Sequence, residues 1–171
     1  MRRRGLAGVC WLAAVMALLM AAPLSAAEKV YINGIDANFP PFAYVDKSGK
    51  PDGFDVKALD WIAKEMKFQV KHQPMDWDGI IPSLKTKKID IVASGMSITP
   101  ERQAAVNFTE PYWTVQQRLV VKNDSKLTDK QCLEPGRKIA LLRGSAESKW
   151  MTENLLKKGS SFELKAYDTT P

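Results

Sequence analysis

The sequence has 171 residues, with 25 lysines and arginines against 19 acids for a net charge of +6, one histidine and two cysteines. Its basic residues form no clustered stripe with interleaved aromatics, which excludes the usual footprint of a nucleic-acid partner, and a single histidine leaves a poor ligand set for zinc. Much of the charge sits at the start. Arg2, Arg3 and Arg4 precede an apolar run from Gly5 to Leu24 and the small residues Ser25, Ala26 and Ala27. That pattern predicts a secretory signal peptide over residues 1–27, cleaved after Ala26 or Ala27. A retained membrane anchor fits the length of the run, but the small-residue ending is what a signal peptidase requires. Taking 27 from 171 leaves 144 residues, and taking three arginines from 25 leaves 22 basic side chains against 19 acids. Cys132 is then the one remaining thiol, so no disulfide forms within the mature chain.

Val30, Ile32 and Ile35 around Gly34 predict a first strand, and Asp36 to Phe42 a loop stiffened by Pro40 and Pro41. Dense turn chemistry over residues 46–53 predicts a hairpin-like excursion. Val56, Leu59, Ala63 and Met66, with Ile62 beside them, repeat at helical spacing and predict an amphipathic helix over 55–67. Phe68, Val70 and His72 alternate as a second strand, which makes His72 a packed, structural histidine. Trp77-Asp78-Gly79 turns into a short helix through Leu84, with Pro82 near its start. Lys85, Lys87 and Lys88 belong to the solvated end of that helix. Ile89 to Ala93 is short, β-branched and ends in small residues, as a buried strand does.

The stretch Gly95-Met96-Ser97-Ile98-Thr99-Pro100-Glu101-Arg102 follows, and the rest of the chain is arranged around it. Thr99 suits a helix cap, Pro100 the first helical position, and Glu101 the positive end of the helix dipole. The unit is therefore strand, loop, helix, with the loop at the carboxyl end of a strand, where α/β sheets place ligands. Arg102 is the candidate ligand residue, because a planar guanidinium grips both oxygens of a carboxylate at once.

Further on, Val115, Leu119, Val120 and Val121 predict a strand over 114–122, and residues 123–130 a polar loop. Lys138 to Leu142 predicts a buried strand, and Arg143-Gly144-Ser145-Ala146 the turn opening a helix anchored by Trp150, Leu155 and Leu156 and stopped at Gly159. Phe162, Leu164 and Ala166 alternate as a last strand.

Five motifs, Asp36-Ala37-Asn38-Phe39-Pro40-Pro41-Phe42, Gly53-Phe54-Asp55-Val56, Trp77-Asp78-Gly79-Ile80-Ile81-Pro82, Gly95 to Arg102, and Phe108-Thr109-Glu110-Pro111-Tyr112, closely resemble those of the periplasmic solute-binding proteins for polar amino acids. The match runs from about residue 30 to residue 147 in the family's order and approximate spacing. The resemblance implies an α/β fold of two lobes, a Venus-flytrap architecture closing on a hinge. Its first lobe would span 28–113 and lack its C-terminal return segments. A crossing strand and hinge would span 114–122, and a partial second lobe 123–171. The chain is thus expected to be a C-terminally truncated member of the family.

The resemblance implies a secreted, periplasmic, monomeric protein that captures a polar L-amino acid for the inner-membrane permease of an ABC-type importer. It implies no catalysis, no cofactor and no metal. Arg102 would hold the ligand carboxylate, with backbone N–H groups near Ser97, Ser145 and Ala146. The Gly95 carbonyl and Ser97 hydroxyl would accept from the ammonium, Phe39 and Trp77 would wall the aliphatic part, and Asp36 would meet a polar or cationic side chain. That last contact tilts the ligand toward Lys, Arg, His or Gln. Two departures from the family pattern stand out: Ala146 lacks the hydroxyl many relatives carry there, and Leu142 brings no charge. Three other readings compete: a cyclohexadienyl or arogenate dehydratase on the same scaffold, a sensor module, and a fragment that binds nothing.

Overall fold

The computed structural model describes residues 28–170, and the signal-peptide reading of residues 1–27 lies outside the described residues. Strand β1 (Val30–Ile35) pairs in parallel with β5 (Gln69–Pro74), in register from Val30 opposite Gln69 to Ile35 opposite Pro74. Between them come short antiparallel strands β2 (Asn38–Phe39), β3 (Ala43–Val45) and β4 (Pro51–Asp52); β3 and β4 close the predicted turn residues as a hairpin, whereas β2 lies inside the expected 36–42 loop, where it pairs with β3. The Asp46 carboxylate shapes the hairpin tip by accepting from the Ser48 and Lys50 amides at 2.8 and 3.0 Å. Helix α1 (Phe54–Met66) then buries Asp55, Val56, Leu59 and Ala63, and Lys67 ends it in the left-handed region. The expected amphipathic helix is therefore present one residue earlier than its period indicates. A 3-10 turn (Trp77–Gly79) leads into α2 (Ile80–Lys85). His72 is structural, with Nδ1 2.9 Å from Asn33 Nδ2 and Nε2 3.0 Å from Asp60 Oδ1.

Residues 89–93 do not form the expected strand. Ile89 is buried and the segment runs beside β1, but only Asn33 and Ile91 form a parallel bridge. The fully buried Asn33 replaces the next rungs with its side chain: its Oδ1 accepts from the Ala93 amide at 2.7 Å. Ser94 Oγ in turn accepts from the Asp36 amide at 2.9 Å. A side-chain amide can satisfy backbone groups as a neighbouring strand would, which ends the regular ladder without leaving buried polar groups unpaired.

The helix expected from Pro100 is a single turn, α3 (Pro100–Gln103). Residues 114–122 are exposed and adopt no strand, in contrast to the sequence expectation. A strand needs a paired neighbour, and no sheet among the described residues includes this segment. Thr128 caps a short helix, α4 (Asp129–Cys132), through a capping box, so the expected 123–130 loop ends two residues early. The second α/β unit is β6 (Lys138–Leu142), α5 (Ala146–Asn154) and β7 (Glu163–Tyr167), with β6 and β7 parallel. Its core is Leu141, Met151 and Phe162, with Leu155 and Leu156 packed against it. Trp150, an expected anchor, is 58% exposed, because the helix is rotated so that Met151 faces inward. Gly159 terminates the following 3-10 turn with φ of 105°, as expected.

Candidate functional site

Arg102 is presented by a turn whose cap is visible in the sequence. The Thr99 hydroxyl accepts from the Arg102 amide at 3.2 Å and Pro100 occupies the first turn, so the guanidinium leaves α3 at a fixed angle. It is 8% exposed. Its Nη1 donates to the Ser97 carbonyl at 2.9 Å and its Nη2 to the Gly144 carbonyl at 3.2 Å. Trp77 lies against it, with Cζ 5.4 Å from the ring centroid, a cation–π contact. Burial lowers the pKa of Arg102, opposed by the nearby charges of Glu147 and Glu101; a guanidinium stays protonated regardless.

The Gly144 carbonyl comes from the β6–α5 turn. Gly144 has φ of 70°, and a Cβ there would stand 3.3 Å from Asp78 Cβ, so the turn sits directly on the Trp77–Asp78 segment. Ser145 is the N-cap of α5, its hydroxyl accepting from the Ser148 amide at 3.2 Å. Its own amide donates to the Leu142 carbonyl at 3.2 Å and is thus occupied, unlike the free donor the sequence suggests. Ala146 and Glu147 open the helix, where the first amides have no partner within it.

On the other side of the 94–97 loop, Asp36 is buried beside Ser94. Its Oδ1 accepts from the Asn38 amide at 2.9 Å, so it forms a local turn as well as facing the loop. Burial raises its pKa, the Asn38 amide opposes that, and Asp76 adds repulsion in the same direction as burial. Phe39 packs on Gly95, where an added Cβ would meet its ring at 2.6 Å. Gly95, at φ of 60°, donates its amide to Asp55 Oδ2 at 2.6 Å.

The structure thus gathers Arg102, Trp77, Ser97 and the Gly144–Ala146 turn into one cluster, and Asp36, Phe39 and Gly95 into a second, joined by the 94–97 loop. Sequence reasoning missed Asn33, Asp55, Ser94 and Gly144. The last was named only as part of a turn, although glycine before a helix-capping serine is a signal for a backbone position that must approach a neighbour closely.

The stretch that holds both α/β units also matches a known family. Residues 31–169 match the bacterial extracellular solute-binding proteins, family 3. The chain belongs to that family. As a family 3 protein it is 36% identical over 148 residues to the L-arginine-binding protein of Pseudomonas aeruginosa, a match covering 86% of this chain and 57% of that protein. It is 34% identical over 129 residues to ABC transporter arginine-binding protein 1 of Escherichia coli K12, covering 75% of this chain and 52% of that one. Among solved structures, the ancestral amino acid-binding protein AncCDT-1, a precursor of cyclohexadienyl dehydratase, superposes with a TM-score of 0.74 at 36% identity, covering 82% of this chain and 61% of that one. An ancestral arginine-binding protein bound to glutamine superposes with a TM-score of 0.73 at 36% identity, covering 82% and 60%. This family 3 chain therefore spans little more than half the length of these relatives, and its α/β units have the fold of amino-acid binders.

Proposed function

We propose that this chain is the ligand-recognition part of an exported solute-binding protein that captures an L-amino acid with a basic or amide side chain for an ABC-type importer. The observation that carries the reading is the buried Arg102 guanidinium, whose two Nη atoms donate to two oxygens, Ser97 O and Gly144 O, contributed by opposite units. A carboxylate is a stronger acceptor for a guanidinium N–H than a neutral carbonyl. It would replace the Gly144 carbonyl and retain the stacking of Trp77, with the unpaired amides at the start of α5 as further donors. Asp36, with Phe39 beside it, takes the polar end of the ligand, and the Gly95 carbonyl and Ser97 hydroxyl receive the ammonium. The 114–122 segment acts as the hinge between the lobes.

The names of the relatives, arginine binders among them, support a basic ligand, and export is supported by the sequence of residues 1–27 and by the family's extracellular character. The test is a thermal-melt screen of the purified chain against single L-amino acids, because a ligand that binds only the folded state stabilises it by about 2.7 kcal/mol at a hundred times Kd. The expected result is a rise with L-arginine or L-lysine, a smaller one with L-glutamine and none with L-glutamate. A cooperative melt unmoved by every amino acid overturns the reading. Incubation with prephenate or arogenate is expected to yield no aromatic product.

A further inference from the structure

A buried carboxylate outside the Arg102 cluster bonds to the 94–97 loop. Asp55 stands in the first turn of α1, where an acid ordinarily turns back to its own helix amides. Instead α1 has no side-chain cap, with Gly53 at the N-cap position. Asp55 is 2% exposed and accepts from the Gly95 amide, forty residues away, at 2.6 Å. Tyr112, from the segment that leads toward the second unit, stacks its ring on Phe54 with centroids 6.1 Å apart, and burial together with the Asp55 carboxylate beside it raises the pKa of its hydroxyl. Phe39 closes the other face of Gly95. Helix α1, the 94–97 loop and the 108–113 segment therefore meet at one charge.

We infer that Asp55, with Tyr112, is a positioning pair that fixes the Gly95 peptide, and through it the Ser97 carbonyl on which Arg102 rests, so that ligand affinity depends on residues that never touch ligand. Burying a carboxylate costs stability unless it is fully hydrogen-bonded. Its retention there, in place of an apolar residue, is accounted for by the orientation it imposes on the loop. The consequence for affinity rests on the function proposed above; the consequence for Gly95 does not.

The experiment uses the whole chain with L-arginine as probe, in wild type, Asp55→Asn, Tyr112→Phe and the double variant. Tyr112→Phe removes one hydroxyl and keeps the ring stack, so it stays folded if Asp55→Asn does not. Two quantities are read well below the melting temperature: the calorimetric Kd, and the hydrogen-exchange rate of the Gly95 amide without ligand. The expected result is about tenfold weaker binding for Asp55→Asn, which exchanges the charged acceptor of the Gly95 amide for a neutral one of roughly half the strength, and roughly fivefold for Tyr112→Phe. The double variant should be no weaker than Asp55→Asn, since the two residues act as a unit. The Gly95 amide should exchange about tenfold faster in Asp55→Asn, as expected when local opening has only a weaker, uncharged hydrogen bond to break. A lowered melting temperature with unchanged Kd marks a merely structural role and overturns the inference, as do losses that simply add. Should the wild type bind no amino acid, the proposed function fails, and Gly95 exchange alone decides: unchanged protection in the variants overturns the positioning role.

Discussion

The two α/β units bury different chemistry. In the first, Asn33, Asp36, Asp55, Ser94 and Arg102 are all buried, whereas in the second Ser145 is the one buried polar side chain among the described residues and Leu141, Met151 and Phe162 fill the interior. The polar group is not a scattered set. Asn33 bonds to Ala93, Ser94 bonds to the Asp36 backbone, Asp55 to Gly95 and Arg102 to Ser97. Apart from Asp36, whose carboxylate accepts from its own Asn38 amide, and the second Arg102 bond, to Gly144, these side chains are spent on residues 93–97 or on holding those residues beside β1. The first unit thus uses its interior to shape a loop, and the second uses its interior to stand up and offer a turn. Changes inside the first unit should register mainly in affinity, and changes inside the second mainly in stability.

The largest expected effect is on stability, from Phe162→Ala in the second unit, at about 3–5 kcal/mol for a large buried aromatic. Denaturant melts measure it, and at a temperature where the variant remains folded its affinity for L-arginine should equal that of the wild type. An affinity loss of similar size would break the contrast between the units. Arg102→Ala should do the reverse, costing about 2–5 kcal/mol of binding by calorimetry, the usual loss on removing one partner of a buried charge pair. Its melting temperature without ligand should change far less than its Kd.

The contrast extends to pH. Burial raises the pKa of Asp36 and of Asp55 in the folded state. The folded chain then holds more protons than the unfolded chain between the ordinary carboxylate range and the raised values, so stability contributed by these two groups rises as pH falls through that window. Asp55→Asn should remove its share of this slope in melts from pH 7 toward pH 4, while changes in the second unit should leave the slope intact. The smallest effect belongs to the exposed pair that bridges the units, Glu101 and Lys149 at 2.8 Å. Lys149→Met should alter affinity by no more than a few-fold, and 0.5 M salt should erase the difference.

Much of this was legible in the sequence where the cause is local. The period of Val56, Leu59 and Ala63 placed α1, and Thr99 with Pro100 placed the turn that presents Arg102. What escaped was set at a distance. An apolar run such as Ile89 to Ala93 reads the same whether its neighbour offers a backbone ladder or, as Asn33 does, a side chain. The β-branched residues of 114–122 carry strand propensity, but pairing decides whether that propensity is realised. Trp150 and Met151 differ by one position in a short helix, too little for periodicity to choose between them. Asp55 was passed over because an acid in a first helical turn already has a local explanation, and only its bond to Gly95 removes that explanation.

On the function proposed above, Arg102 recognises a ligand carboxylate at the point where it now meets the Gly144 carbonyl. Agmatine has the guanidinium and aliphatic chain of arginine but no carboxylate. Calorimetric titration of the chain with L-arginine and with agmatine, side by side, isolates that group. Saturable binding of L-arginine is expected, with agmatine binding weaker by roughly 30-fold or more, the equivalent of about 2 kcal/mol. Equal affinity for the two would contradict it, because the ligand would then be held by its side chain alone and Arg102 would have no carboxylate to grip.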